Sequence, residues 1–215
     1  MMRSVIYIAG MFEDGTNPLF LDIQALAKKL QESCKYIKLY SGTTFGSYSY
    51  QNEIRRINEI VSKSQPSLII AHSLGCYIST HLPVLCPFIL IDPSVSITDI
   101  ILPNIKRGGY DDGTYTFKVS PSFLNSVKIS EPIEVLVRNI KNTGHHIYIF
   151  GAGRGGYRIA EQYHQNLVGS IYFFLPNADH EFSNRSSRQR ILQVIKKRLD
   201  AKQSSRSRGT RIKSS

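Results

Sequence analysis

Ser73 sits in the pentapeptide Ala71-His72-Ser73-Leu74-Gly75, with one small residue two positions before it and another two positions after. That spacing suits a nucleophile on a sharp strand-to-helix turn. The flanking positions lie where strand and helix cross, so large side chains there would collide. The turn points the backbone N–H of Leu74 and the positive end of the following helix at the hydroxyl. A serine held this way can do nucleophilic chemistry if a base takes its proton. The plain alternative is a polar turn residue that opens a helix.

The bare pattern is weak, and its flanks strengthen it. Leu68-Ile69-Ile70 is a continuous apolar run, as a strand buried on both faces requires. Cys76-Tyr77-Ile78 begins an apolar helix. Two further strand-like runs end in groups that can move or hold protons. Cys86–Ile91 leads into Asp92-Pro93-Ser94, and Ser170–Leu175 leads, past Pro176, into Asp179-His180-Glu181-Phe182.

These sites must be held by the elements around them. Ser4–Ala9 reads as a first strand and Leu19–Ser33 as a helix with an apolar stripe at Leu19, Ile23, Leu26 and Leu30. Tyr36–Tyr40 reads as a strand, Ser41–Ser49 as a loop and Gln51–Ser62 as a helix. Val95–Ile129 is irregular, either a lid or binding loop or a surface excursion. Glu131–Asn142 and Tyr157–Asn166 read as helices, with a strand at His146–Phe150 between them. Gln189–Leu199 closes the chain with Ile191, Leu192 and Ile195 facing inward. Strands and helices alternate throughout, which predicts a three-layer α/β/α domain over residues 1–199. Its central sheet is mostly parallel, with active residues at the carboxyl ends of the strands.

Gly151-Ala152-Gly153-Arg154-Gly155-Gly156 looks like a dinucleotide-binding turn that opens a helix. It follows a late strand, however. The acidic residue expected after the next strand is missing, because that strand ends in Leu175-Pro176. It is therefore not read as a nucleotide site.

Composition narrows the class. The chain has 215 residues, 41% of them hydrophobic, which is ordinary for one globular domain. No apolar run is long enough for a membrane span, and the N-terminal stretch reads as a strand, not a signal peptide. The three cysteines, Cys34, Cys76 and Cys86, form no metal-binding or redox pattern, which points to buried thiols in a reducing, cytoplasmic compartment. Net charge is +11, and residues 196–215 carry eight basic groups against Asp200, or +7 of that total. Residues 200–215 read as a basic, disordered tail. It could make weak contact with an acidic surface or nucleic acid, or serve only as a solubilising terminus.

The Ala-His-Ser-Leu-Gly turn, the Asp-Pro-Ser after the next strand and the Asp-His-Glu-Phe after the last strand occur in the order Ser, Asp, His. This resembles the α/β-hydrolase superfamily, in particular its small esterase-like and lipase-like members, in a compact version of the fold. The resemblance implies that Ser73 is the nucleophile and His180 the general base. The backbone N–H groups of Met11 and Leu74 would form the oxyanion hole, with Ala9-Gly10-Met11 standing where the family often has His-Gly-x. His72 would be a filler inside the turn.

Most families of this fold take the triad acid from the loop after the penultimate strand. Here that loop offers Arg154 and no carboxylate before Glu161. Some lipases use the loop after the strand next to the nucleophile strand, which here supplies Asp92. The acid is therefore Asp92, Glu161 or absent. The expected activity is hydrolysis of an ester or thioester through an acyl-enzyme, on a small-molecule substrate, with no metal or organic cofactor implied. The alternative is a non-catalytic binding protein of the same fold with an incomplete triad.

Overall fold

β1 (Ser4–Ile8), β3 (Leu68–His72) and β4 (Phe88–Ile91) are buried on both faces, apart from the partly exposed Ser4. Their residues are almost all apolar, and a parallel strand covered on two sides needs that composition. In the computed structural model they form the middle of a six-stranded sheet ordered β2-β1-β3-β4-β8-β9, with every pairing parallel. β2 is Ser33–Ile37, β8 is Ile147–Arg154 and β9 is Ile171–Asp179. The structure describes residues 4–11, 13–39, 50–82, 86–94, 105–106, 109–111, 116–117 and 147–209.

Alternate residues of the central strands feed two cores. Ile6, Ile8, Ile69, Ala71, Phe88 and Leu90 face α2 (Tyr50–Ser64), α3 (Leu74–Ser79) and α4 (Tyr157–Asn166), which contribute Ile57, Val61, Ile78 and Tyr163. Val5, Tyr7, Leu68, Ile70 and Ile89 face α1 (Pro18–Lys29) and α5 (Arg185–Gly209), which contribute Leu19, Ile23, Ile191, Ile195 and Leu199. The result is the expected α/β/α arrangement. The order of strands reverses between β1 and β3, and open parallel sheets place their sites at such a crevice.

The ends of several elements depart from the sequence reading, each for a local reason. α1 starts at Pro18, capped by Asn17 accepting the Leu19 N–H at 2.8 Å, and it stops at Lys29. Leu30 caps it, and Gln31 then turns left-handed at φ 57°. β2 begins at Ser33, because its register follows β1 from Ser4 opposite Ser33 to Ile8 opposite Ile37. β8 continues into the glycine run as far as Arg154, and β9 continues through Pro176, which an edge strand tolerates. α5 runs past Leu199 to Gly209, a correction to the expected end. Ala201, Lys202 and Gln203 favour helix, and no breaker precedes Gly209.

Within the irregular insertion, β5 (Ile105–Lys106), β6 (Gly109–Asp111) and β7 (Thr116–Phe117) form a small antiparallel sheet. The remainder of the insertion, the Ser41–Ser49 loop, the Glu131–Asn142 helix, His145, His146 and the tail beyond Gly209 lie outside the described residues. Among the described residues, no helix is long and apolar enough to cross a membrane.

Candidate active site

Ser73 is the single residue between β3 and α3, and its backbone sits at φ 51°, ψ −119°. A non-glycine residue pays about 1–3 kcal/mol for such a conformation, so the surroundings must enforce it. The Ser73 N–H donates to Ile91 O at 3.0 Å, and Ser73 O accepts from the Cys76 and Ser94 N–H groups. Gly75 lets the helix start close against β1. A methyl there would lie 2.3 Å from Ile8 O and 2.6 Å from Ala9 O. The requirement for small residues around the serine therefore has a concrete cause in the crossing of α3 over the end of β1.

Asp92 ends β4 as Ser73 ends β3. Its side chain is fully buried, and its backbone is also left-handed, at φ 42°, where Asp is among the better tolerated residues. The glycine run clasps it. Asp92 Oδ1 accepts the Ala152 N–H and Oδ2 accepts the Gly156 N–H, each at 2.9 Å. Gly155 is required by this clasp, because a methyl on it would lie 2.6 Å from Asp92 Oδ2. What resembled a phosphate-binding turn is thus a backbone cradle for a carboxylate of the same chain.

His180 follows β9 and closes the arrangement. Its Nδ1–H donates to Asp92 Oδ2 at 2.5 Å, and its Nε2 lies 3.0 Å from Ser73 Oγ. A carboxylate can only accept, so the proton sits on Nδ1 and Nε2 is the nitrogen that faces the hydroxyl. The burial gradient fits a site that opens outward: the His180 side chain is 42% exposed and that of Asp92 is 0% exposed. The chain Asp92–His180–Ser73 joins the carboxyl ends of β4, β9 and β3. Glu161 is on α4 with its side chain exposed, and the Nδ1 of His180 is already taken by Asp92.

Of the two expected oxyanion donors, Leu74 is next to the serine in the chain and Met11 is next to a residue that lies against it. Leu74 follows Ser73 and opens α3. Gly10, just before Met11, lies against Ser73, since a methyl on Gly10 would come within 3.1 Å of Ser73 Cβ. Met11 packs on the core below α3. Cys76 points elsewhere: its thiol donates to Ala71 O at 3.1 Å, and burial pushes it well above the ordinary thiol range. His164 accompanies Ser170 Oγ at 2.8 Å, away from Ser73.

Sequence reasoning missed one pair. His72 is not a filler. Its Nδ1 lies 2.9 Å from Glu13 Oε2, and its Nε2 lies 2.8 Å from the backbone carbonyl of His180. Glu13 also accepts from Tyr7 Oη at 3.0 Å and from the Gly10 N–H. Burial alone would push the His72 pKa down, but the Glu13 carboxylate overrides it and holds the imidazole at about 9. Burial alone would raise Glu13, and His72 instead keeps it below its ordinary value. The only sequence signal was an acidic residue soon after the first strand, beside a histidine in the turn.

No protein-family model matches the chain, and no curated protein matches it by sequence. Its backbone is similar to those of solved structures. Est1E from Butyrivibrio proteoclasticus superposes with a TM-score of 0.68 at 10% identity, covering 91% of this chain and 86% of that one. The esterase domain of a Rhodothermus marinus protein gives 0.64 at 14% identity, covering 90% and 84%. Alpha/beta hydrolase domain-containing protein 10 from mouse gives 0.72 at 11% identity, covering 92% and 90%. The chain has the α/β-hydrolase fold.

Proposed function

We propose that this protein is a serine hydrolase that cleaves a carboxylic ester or thioester of a small molecule. The observation that carries the reading is the unbroken hydrogen-bonded chain from Asp92 through His180 to Ser73 Oγ, on a fold whose solved neighbours include esterases. Ser73 is strained, nearly buried and aligned with a base, while ordinary turn serines have no need of such an environment.

In the first step, His180 Nε2 takes the Ser73 proton as Oγ attacks the acyl carbon. Asp92 keeps the proton of His180 on Nδ1 and stabilises the imidazolium that forms. The backbone N–H groups of Leu74 and Met11 receive the oxyanion, each worth roughly 3 kcal/mol of barrier. The imidazolium then gives its proton to the leaving alcohol or thiol, and an acyl-Ser73 remains. Water attacks that ester with His180 again as base, which releases the acid and restores the serine. Every proton is accounted for by His180, and no step calls for a cofactor.

The experiment that tests this is a screen of p-nitrophenyl esters and acyl thioesters of graded chain length, with Ser73→Ala as the control. Turnover that depends on Ser73 supports the reading. The absence of any Ser73-dependent turnover across both classes contradicts it.

A further inference from the structure

We propose that His72 is a positioning residue, a buried imidazolium that Glu13 orients and that clamps the backbone carbonyl of His180. The inference rests on the hydrolase reading for its kinetic consequence, and its structural content stands apart from that reading.

The protonation state follows from the partners. Nδ1 faces a carboxylate oxygen and Nε2 faces a carbonyl oxygen. Neither partner can donate, so both ring nitrogens must carry protons if both contacts are hydrogen bonds. An ionised Glu13 has no proton to offer, and the donors around it favour that form. Its Oε2 already accepts the Gly10 N–H, and its Oε1 accepts the Tyr7 hydroxyl. The pair is almost wholly buried, with side-chain exposures of 1% for His72 and 4% for Glu13. A buried charge is retained at such a cost only when it is paired and its remaining hydrogen-bonding positions are filled, as they are here.

The position of the pair gives it a role. His72 precedes the nucleophile in the chain, and its ring is 5.0 Å from that of His180, centroid to centroid. Glu13 ties down Gly10, which lies against Ser73 and leads into Met11. One imidazole therefore links the loop after β1, the serine turn and the loop after β9. Other contacts hold the last loop further along. Asn17 donates to Glu181 at 3.0 Å, and Arg188 donates to the carbonyls of Phe182 and Ser183. His72 holds the backbone of His180 itself. Without it, the base keeps Asp92 at its ring but loses the anchor at its own carbonyl.

Two substitutions separate this role from simple packing. His72→Asn places its amide nitrogen near the position of Nδ1, so Glu13 keeps a donor, but its side chain ends short of the His180 carbonyl that Nε2 reaches. Glu13→Gln can donate its amide to Nδ1, at the expense of the Gly10 N–H that the same oxygen accepted, and leaves a neutral ring with Nε2–H still on that carbonyl. The expected order of kcat is wild type, then Glu13→Gln, then His72→Asn. The last should fall by about 100-fold, the scale of a small misplacement of a reacting group, with KM within about twofold. Far-ultraviolet circular dichroism checks that both variants fold.

Nitrogen-15 NMR of the imidazoles in the wild type at pH 7.5 adds a readout independent of turnover. His72 should show protons on both ring nitrogens, with the Nε2 proton protected from exchange. A folded His72→Asn with wild-type kcat would overturn the proposal, and so would a singly protonated His72 in the wild type. Should His72→Asn fail to fold, the NMR result and the Glu13→Gln kinetics decide. A doubly protonated, protected His72 in a protein with no Ser73-dependent turnover would sink the hydrolase reading and leave the clamp supported.

Discussion

Asp92 reaches His180 across the carboxyl ends of β4 and β9, Oδ2 to Nδ1 at 2.5 Å, while its oxygens also accept the backbone N–H groups of Ala152, near the end of β8, and of Gly156, just before α4. The carboxylate is therefore held by backbone donors independently of the histidine. Its partner in the chain of contacts is set by the fold and not by a flexible side chain.

Asp92→Asn should present Ser73 in its usual turn and lose roughly four orders of magnitude in turnover. Asn tolerates the left-handed backbone that Asp92 adopts at φ 42°. Its amide nitrogen, however, would meet either a backbone N–H or the Nδ1–H of His180. One unpaired donor costs about 1–3 kcal/mol, so the melting temperature should also fall. Glu161→Gln, on the exposed face of α4, should leave both quantities near the parent values. Steady-state kinetics and thermal melts on the two variants check this. An active Asp92→Asn beside an inactive Glu161→Gln would reverse the assignment.

Gly155→Ala tests the cradle without touching a charged group. The added methyl would stand 2.6 Å from Asp92 Oδ2, so the carboxylate must move. Turnover should fall by about 100-fold while Ser73 remains in place. Gly169→Ala is the matched control. Its methyl would meet nothing within 4 Å, and only its φ of 86° is strained. It should cost about 1 kcal/mol of stability and leave turnover unchanged.

The buried pair gives stability a pH window. The His72 pKa is raised from 6.5 to about 9, so its contribution is complete below 6.5 and is lost as pH climbs through about 9. Glu13 is held below its ordinary 4.5, so its contribution is complete above 4.5 and fades as pH falls further. Denaturant unfolding of the wild type and Glu13→Gln should therefore differ most between about pH 4.5 and 6.5, with the gap closing toward pH 9 and above. A gap that stays constant from pH 6 to pH 10 would show that the pair is not ionised as described.

The turn at Ser73 was legible in the sequence because its cause is local. Small residues flank Ser73, an apolar strand precedes it and an apolar helix follows, all within fifteen residues of chain from 66 to 80. Asp92 and His180 were legible as polar residues at strand ends, since parallel sheets gather those ends on one side. The Glu13–His72 pair was not, because its members are 59 residues apart and neither has a motif of its own. The contact of the glycine run with Asp92 was not legible for a related reason. A turn that aims backbone N–H groups at an anion looks alike in sequence whether the anion is a phosphate or the side chain of Asp92. The ends of β9 and α5 were lost where local rules bend, at a proline on an edge strand and in a polar helix with no breaker.

Reaction of Ser73 with a fluorophosphonate, read as an adduct by peptide mass spectrometry and paired with ester turnover of the wild type and Ser73→Ala, tests the central claim most directly. The adduct should map to Ser73, be lost in Asp92→Asn and His180→Ala, and be accompanied by a loss of roughly six orders of magnitude in turnover when the serine becomes alanine. An unlabelled Ser73, or a Ser73→Ala protein that hydrolyses its ester as fast as the wild type, would contradict the account.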